Sequence, residues 1–417
     1  MISRPYYLEW LNRWKDKDVI KVIAGMRRSG KSTLMQLYQM ELQQQGVEQS
    51  QLISINFESL DEDYPLTAKD LYDYIAQRID PRAKTYVFLD EVQRVDEFEV
   101  VVDALFVRED VDLYITGSNA HLLSGELATL LSGRYVEIKV YPFSFKEYHT
   151  AIQENVMQRG GLDHPYDFPY DLAPSLPSKE VIFNRYLLFG GLPFAATLFD
   201  EKDITEYLEG VFSTIFIKDI AQRKPRMDMA SFESVAAFLA DNVGNITSIK
   251  HIADTLATQN KTMSQGAVKQ YIDSLLASHL LFKVERFNLK GKEYLRNLDK
   301  YYLGDLGFRF WLLGKSAGDV GKRIENVVYL ELRRKYNRVA IGKQGEHEVD
   351  FVATSGDATH YYQVAQTVLN EETLLRELRP LQVIQDNHPK TLLTLDTIGT
   401  GDFSGIKHLN LLDWLLE

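Results

Sequence analysis

The amino-acid sequence predicts an α/β fold that begins with a doubly wound parallel sheet. Three observations carry this reading. Short apolar runs rich in β-branched and aromatic residues recur along the first third of the chain, helix-patterned segments lie between them, and a glycine-rich loop stands where a strand meets a helix. The runs are VIKVIA at 19–24, LISINF at 52–57, YVFLD at 86–90, LYITG at 113–117 and YVEIKV at 135–140. Each has the length of an ordinary strand. Residues 33–45 and 68–78 space their apolar side chains as a helix does, so strands and helices alternate.

Composition bounds the rest. A chain of 417 residues holds about three domains at roughly 150 residues each. Hydrophobic residues are 45% and charged residues 25%, which excludes a disordered or collagen-like chain. The formal charge of −12 argues against an all-over nucleic-acid-binding surface and leaves room for a local basic patch. The absence of cysteine excludes disulfides, thiolate zinc sites and a Cys nucleophile. The start, MISRPYYLEWLNRW, lacks the continuous apolar stretch of a secretory signal. No apolar run approaches the roughly 18 residues of a membrane helix. A cytoplasmic protein with no membrane partner is expected.

The loop Gly25-Met26-Arg27-Arg28-Ser29-Gly30-Lys31-Ser32, followed by Thr33, fits G-x-x-x-x-G-K-[ST]. It follows a predicted strand and opens a predicted helix, the context this motif requires. Its glycines let main-chain N–H groups curl around an anion, and the helix N-terminus adds partial positive charge. Residues 25–33 are therefore expected to hold ATP, with Lys31 reaching the β and γ phosphates and Ser32 offering its hydroxyl to Mg²⁺. Arg27 and Arg28 sit inside the loop. Spacing alone does not separate phosphate contact from solvation for either.

The strand at 86–90 ends in Asp90 and Glu91. Carboxyl ends of parallel strands face the ligand crevice. Asp90 is expected to hold Mg²⁺ and Glu91 to prime the attacking water as general base. The strand at 113–117 ends near Ser118 and Asn119, candidates for the γ-phosphate or the water; capping of the next helix is their plain alternative. Arg134, between Gly133 and the last strand, could reach the nucleotide of a neighbouring subunit as an arginine finger, or serve as an ordinary ion pair.

With these motifs in place the chain resembles a prokaryotic family of AAA-type P-loop ATPases that carry a C-terminal domain of unknown function. The resemblance rests on DVIKVIAGMRRSGKSTL, FLDEVQ, ITGSNAHLLS, LSGRYVEIKVYPFSFKEY, YLLFGGLPF, KYYLGDLGFR and the region of EVDF, in that order. It implies an additional-strand, catalytic-glutamate ATPase core, then a winged helix, then a restriction-endonuclease-like fold. It also implies that Gln93 and Arg134 belong near the active site. The corresponding boundaries are 1–150 for the ATPase core, 151–229 for a helical lid or linker region, 230–305 for a winged helix-turn-helix and 306–417 for the endonuclease-like domain. Within the second of these, residues 160–177 hold two glycines and four prolines and read as an irregular loop.

The middle module has its own signal. Helices at 249–257 and 265–277 precede two apolar-basic strands, as in a winged helix-turn-helix. Its second helix is poorly basic, since Asp273 offsets Lys269. The hairpin is richer: Lys283, Arg286, Lys290, Lys292, Arg296 and Lys300 face Glu285, Glu293 and Asp299. Lys269, Arg286, Lys290 and Lys292 are the candidate DNA contacts. In the last module, Glu325 on a predicted helix and Asp350 and Gln363 on predicted strands match an endonuclease-like metal site. The lysine of that pattern is replaced by Ala365, so the domain is expected to be inactive unless a lysine from elsewhere, such as Lys343, supplies the charge. The leading expectation is Mg²⁺-dependent ATP hydrolysis that changes the conformation of the appended modules. The alternatives are an ATP-switched DNA-binding regulator, a protein scaffold, or, least favoured, a metal-dependent nuclease. DNA, protein clients and a second copy of the chain are the expected partners.

Overall fold

A computed structural model describes residues 1–59, 67–118, 133–158, 176–291, 293–315 and 320–417. The chain divides into two compact units. The first comprises Met1–Pro142 with Ala277–His279, the second Phe143–Leu276 with Leu280–Glu417.

In the first unit, helix α1 (Pro5–Trp14) leads into β1 (Ile20–Ala24), α2 (Lys31–Gln44), β2 (Leu52–Asn56), α3 (Ala68–Ala76) and β3 (Thr85–Asp90). Helix α4 (Phe98–Phe106), β4 (Val111–Gly117) and β5 (Tyr135–Lys139) follow. The five strands are all parallel, in the order β2-β3-β4-β1-β5. This is the α/β parallel sheet read from the sequence, with β4 inserted between the loop-bearing β1 and the acid-bearing β3.

Alternation along each strand divides the core between the two faces. Val22, Val87, Leu89 and Leu113 pack with Leu71, Ile75, Val101 and Leu105 of α3 and α4. Their neighbours Ile23, Phe88 and Tyr114 pack with Tyr7, Leu11, Leu34 and Tyr38 of α1 and α2. Each such side chain, fully buried, contributes about 1.5–3 kcal/mol. A buried charged pair breaks the apolar pattern: Lys21 of β1 forms an ion pair with Asp112 of β4. Because the strands are parallel, the ends of β1, β3 and β4 lie at one edge of the sheet, and the start of β5 lies at the other.

The second unit opens with helices α5 (Phe145–Gln158), α6 (Lys179–Phe189) and α7 (Glu201–Thr214), the last running into a π-helical turn at Ile215–Ala221. Then come α8 (Met229–Asp241), β6 (Ile246–Thr247), α9 (Ile249–Thr258), α10 (Gln265–Ala277), β7 (Leu281–Asn288) and β8 (Glu293–Leu303). They are followed by α11 (Leu306–Leu313), α12 (Val320–Lys335), β9 (Arg338–Gln344), β10 (His347–Ser355) and β11 (Ala358–Val364). Helix α13 (Glu371–Gln382), β12 (Lys390–Thr394), β13 (Gly401–Phe403), β14 (Ile406–Asn410) and α14 (Leu411–Leu416) complete it. The strands form one mixed sheet, β13-β14-β12-β11-β10-β9-β7-β8-β6. Strand β7 pairs in parallel with β9, so the strands before and after residue 305 share one sheet. The irregular loop expected at 160–177 falls almost wholly on 159–175, outside the described residues. Among the described residues no helix is long and apolar enough to cross a membrane.

Two segments singled out in the sequence, YLLFGGLPF and KYYLGDLGFR, meet at one buried carboxyl. Asp305 caps α11 by accepting from Gly307 N at 2.8 Å, and its other oxygen accepts from Gly191 N at 2.7 Å. Gly190 has φ 76°, and a Cβ there would lie 1.8 Å from Asp305 Oδ1, so only glycine fits. Burial pushes the Asp305 carboxyl up to about 7, against the pull of the N–H groups from Gly191 and Gly307. The unfolded chain releases that proton near pH 4. Stability from this group is therefore full below about pH 4 and is lost as pH rises to about 7. Asp305→Asn is expected to flatten that slope in urea titrations across pH 4–8. It should also cost about 1–3 kcal/mol, because an amide NH₂ then faces a buried N–H.

Candidate functional site

The loop after β1 owes its path to one close approach. Gly25 has φ 152°, and a Cβ on it would lie 2.2 Å from Val140 O, so the residue must be glycine. Gly30, with φ 94°, then turns the chain into α2. Arg4 braces the loop from outside the motif: it is buried and donates to Ser29 O and Tyr141 O, each at 2.9 Å. Sequence reading missed Arg4, because a lone arginine before the first helix carries no motif.

Lys31 is buried, donates to Gly25 O at 3.1 Å and Met26 O at 3.2 Å, and lies 3.6 Å from Glu91 Oε1. The hydroxyl of Ser29 is buried with no hydrogen-bond partner among the described residues. A buried polar atom without a partner is costly, and an anion cradled by the loop would satisfy it. The two loop arginines diverge. Arg27 is buried and reaches Glu58 Oε1 at 2.7 Å, while Arg28 is exposed with φ 67°. Thr33 is exposed.

The acids at the end of β3 are held by Thr116 of β4. Its hydroxyl donates to Asp90 and accepts from Glu91 N at 2.9 Å. Burial raises the Asp90 carboxyl above its usual range; hydrogen bonds from Ser32 and Thr116 pull it back. The Ser32 hydroxyl and the Asp90 carboxyl are thus neighbours, and two hard oxygen donors suit Mg²⁺. Glu91 has φ 57°, an uncommon backbone state for a non-glycine residue. Ser118 donates to Glu91 Oε2 at 3.1 Å, and Gln93 donates to the same oxygen. Asn119 lies outside the described residues. Arg134 stands at the start of β5, where its carbonyl accepts from Ile20 N at 2.8 Å, and its guanidinium pairs with Asp103. This is the opposite edge of the sheet from Lys31.

In the second unit Glu325, Asp350 and Gln363 also come together. Asp350 accepts from Val364 N at 2.9 Å and its own N–H donates to Gln363 at 3.3 Å. Gln363 in turn donates to Glu377 at 3.0 Å. Burial, and next the nearby Glu325, raise the Asp350 carboxyl well above its usual range. The cation of this cluster is Lys300 of β8, 2.8 Å from Glu348 and 3.6 Å from Glu325. Lys343 instead turns to Glu346 O at 3.2 Å, and Ala365 packs against the apolar core. Among the described residues no group of three or more His, Asp or Glu is placed to hold a metal. Lys300 was counted in the sequence with the basic hairpin, where its inward direction is invisible. Its neighbours are similarly engaged: Lys283 with Asp299 at 2.8 Å and Arg286 with Glu348 at 3.7 Å. Lys269 pairs with Asp273 at 3.0 Å, and Lys290 is exposed at the turn. Lys292 and the side chain of Arg296 lie outside the described residues.

Comparison with known proteins places this geometry. A family profile described as an AAA domain matches residues 17–149, and one described as a domain of unknown function matches residues 181–319. An uncharacterized protein of Haemophilus influenzae is 38% identical over 418 residues, spanning 100% of this chain and 99% of that one. An uncharacterized protein of Methanocaldococcus jannaschii is 28% identical over 367 residues, covering 86% of this chain and 77% of that one. Among solved structures, a Walker-type ATPase of Pyrococcus abyssi aligns with a TM-score of 0.51 at 15% identity, over 75% of this chain and 96% of its own. That likeness concerns the fold.

Removing the buried ammonium while keeping its bulk tests the acid cluster. Lys300→Met is expected to destabilise the second unit by about 3–5 kcal/mol, because it strands buried carboxylates. Chemical denaturation at neutral pH reads the loss. An unchanged midpoint would show that the carboxylates do not depend on Lys300.

Proposed function

We propose that the chain, which belongs to one family with the Haemophilus influenzae protein and matches an AAA-domain profile over residues 17–149, binds ATP with Mg²⁺ and hydrolyses it, and that turnover changes the conformation of the modules that follow. The observation that carries this is the convergence of Lys31, Ser32, Asp90 and Glu91 at one edge of the sheet. In the reaction a water oxygen bonds to the γ-phosphorus as the bond to the bridging oxygen breaks. ADP keeps the electron pair, and the water's proton passes to Glu91. Lys31 leaves its carbonyl and carboxylate partners for the β and γ phosphates, and the Ser29 hydroxyl gains an acceptor. Mg²⁺, when bound, neutralises charge on the phosphate oxygens; Ser32 and Asp90 are its donors from this chain. Ser118 and Gln93 aim Glu91. Arg134, standing at the far edge, would act only on the nucleotide of a second copy.

In the second unit, α8, β6, α9, α10 and the β7–β8 hairpin follow the order of a winged helix-turn-helix. Helix α12 with β9–β12 follows that of an endonuclease-like fold. We read both as effector modules, engaged by DNA or by a protein client. The ammonium of Lys300 among the acids supports a non-hydrolytic role for the latter. Exposed Lys290 supports phosphate contact at the former.

Lys31→Ala is expected to abolish ATP binding in calorimetry. Glu91→Gln should keep ATP binding and lose about 10²–10⁴-fold in turnover. Chelation of Mg²⁺ should stop turnover of the unaltered protein. Turnover by Glu91→Gln equal to that of the parent would remove Glu91 from the mechanism. Steady-state turnover with and without DNA reads whether the modules respond to nucleic acid.

A further inference from the structure

Arg27 is the loop residue whose placement the hydrolytic reading leaves unused. Its side chain is 9% exposed, and its two terminal nitrogens point to different partners. One donates to Glu58 Oε1 at 2.7 Å, the other to Ser118 Oγ at 3.5 Å. Ser118 in turn donates to Glu91. The guanidinium is therefore one hydroxyl away from the carboxylate that would prime the water. Glu58, following β2, is shared: Arg94 reaches it at 3.3 Å and also donates to Phe57 O. Arg28, its neighbour in sequence, is exposed and has no such position.

We propose that Arg27 is the catalytic cation of the transferring phosphoryl group, supplied by the same chain that binds the nucleotide and held at rest by Glu58. This rests on the ATP-hydrolysis reading above and deepens it. A transition state for phosphoryl transfer spreads charge over its equatorial oxygens, and a cation beside them is the part most often supplied late. A guanidinium presents a planar fork that matches two such oxygens, which an ammonium cannot do. Burial strengthens the interaction, because a charge shielded from water acts through a lower effective dielectric.

The resting pairs are symmetrical. Lys31 faces Glu91 and Arg27 faces Glu58, so each cation entering the phosphate site is held by a carboxylate. A γ-phosphate competes for both. Winning Lys31 frees Glu91 for the water; winning Arg27 brings the fork to the phosphoryl oxygens and leaves Glu58 to Arg94. Hydrolysis then needs no arginine from a second copy, and Arg134 keeps its own partner Asp103 at the other edge of the sheet.

The experiment is steady-state and binding analysis of the full chain, with Arg27→Ala, Arg27→Lys and Glu58→Gln variants. Arg27→Ala is expected to lower kcat by about 10²–10³-fold or more, while the affinity for a fluorescent ATP analogue changes by less than about threefold. Affinity for ADP with aluminium fluoride, a mimic of the phosphoryl group in flight, should fall in step with kcat. Arg27→Lys, which keeps charge and bulk, should recover only a minor part of kcat. It also serves if the alanine variant misfolds, as judged by thermal melting. Glu58→Gln should lower KM by severalfold, because the nucleotide no longer competes with that carboxylate. Specific activity of the unaltered protein should not change on dilution. Three results overturn the proposal: Arg27→Ala turning over within threefold of the parent, Arg27→Ala losing turnover only through lost ATP binding, or specific activity rising with protein concentration. A parent protein that neither binds nor turns over ATP sinks the underlying hydrolytic reading as well, which separates the two failures.

Discussion

A cation taken out of water needs a close partner, and at most of the polar sites described that partner is a carboxylate. Desolvating an ammonium or guanidinium costs several kcal/mol, and only a close carboxylate or phosphate offsets it. In the nucleotide loop the constraint acts on Lys31 and Arg27, whose side chains are 4% and 9% exposed. Without a phosphate, Glu91 and Glu58 take that role. The resting arrangement is therefore a set of occupied pairs, and the carboxylate assigned to water activation is engaged until a stronger anion arrives. The hydroxyl of Thr116 binds Asp90 and the main chain of Glu91 together.

The same rule explains features far from the loop. Lys21 sits buried in β1 because Asp112 on the adjacent β4 meets it, with Tyr114 donating to the same carboxylate. In the second unit Lys300 is the counterion for Glu348 and Glu325. That choice has a chemical consequence. A divalent metal needs several carboxylate oxygens converging on one point, whereas an ammonium hydrogen-bonded among them claims those oxygens for itself. Asp305 shows the remaining case, a buried carboxyl with no cation at contact distance among the described residues. It is stabilised by main-chain N–H groups and, below about pH 7, by keeping its proton.

What the sequence disclosed follows from how each signal is encoded. The parallel sheet was legible because β1, β3 and β4 are short, apolar on both faces and bounded by turns. The loop and acids were legible because glycine, lysine and an acid pair at strand ends have few other uses. Arg27 and Arg28 were not separable, since they are chemically identical and adjacent; only the backbone turn at Arg28, with φ 67°, sends one inward and the other outward. Glu58, Arg4 and Lys300 were missed for a common reason. Their nearest such partners lie 31, 25 and 25 residues away, and long-range pairing leaves no local pattern. The hairpin misled most directly. Its basic residues counted as a patch in sequence, yet Lys283 pairs with Asp299 of the adjacent strand, and Arg286 and Lys300 pair with Glu348 of β10.

That engagement bears on which anion the chain is arranged to meet. A surface built for a nucleic-acid backbone keeps its cations in water, ready to replace counterions. The described hairpin cations at Lys283, Arg286 and Lys300 are instead held by Asp299, Glu348 and Glu325, leaving Lys290 at the turn. The loop cations are held by carboxylates too, Lys31 by Glu91 and Arg27 by Glu58, in a loop that also contains a buried Ser29 hydroxyl with no partner among the described residues. The hairpin network is not fully satisfied either, since Arg286 Nε is buried with no hydrogen-bond partner among the described residues. What sets the loop apart is its backbone: glycines at 25 and 30 turn it into the N-terminus of α2, where main-chain N–H groups favour an anion.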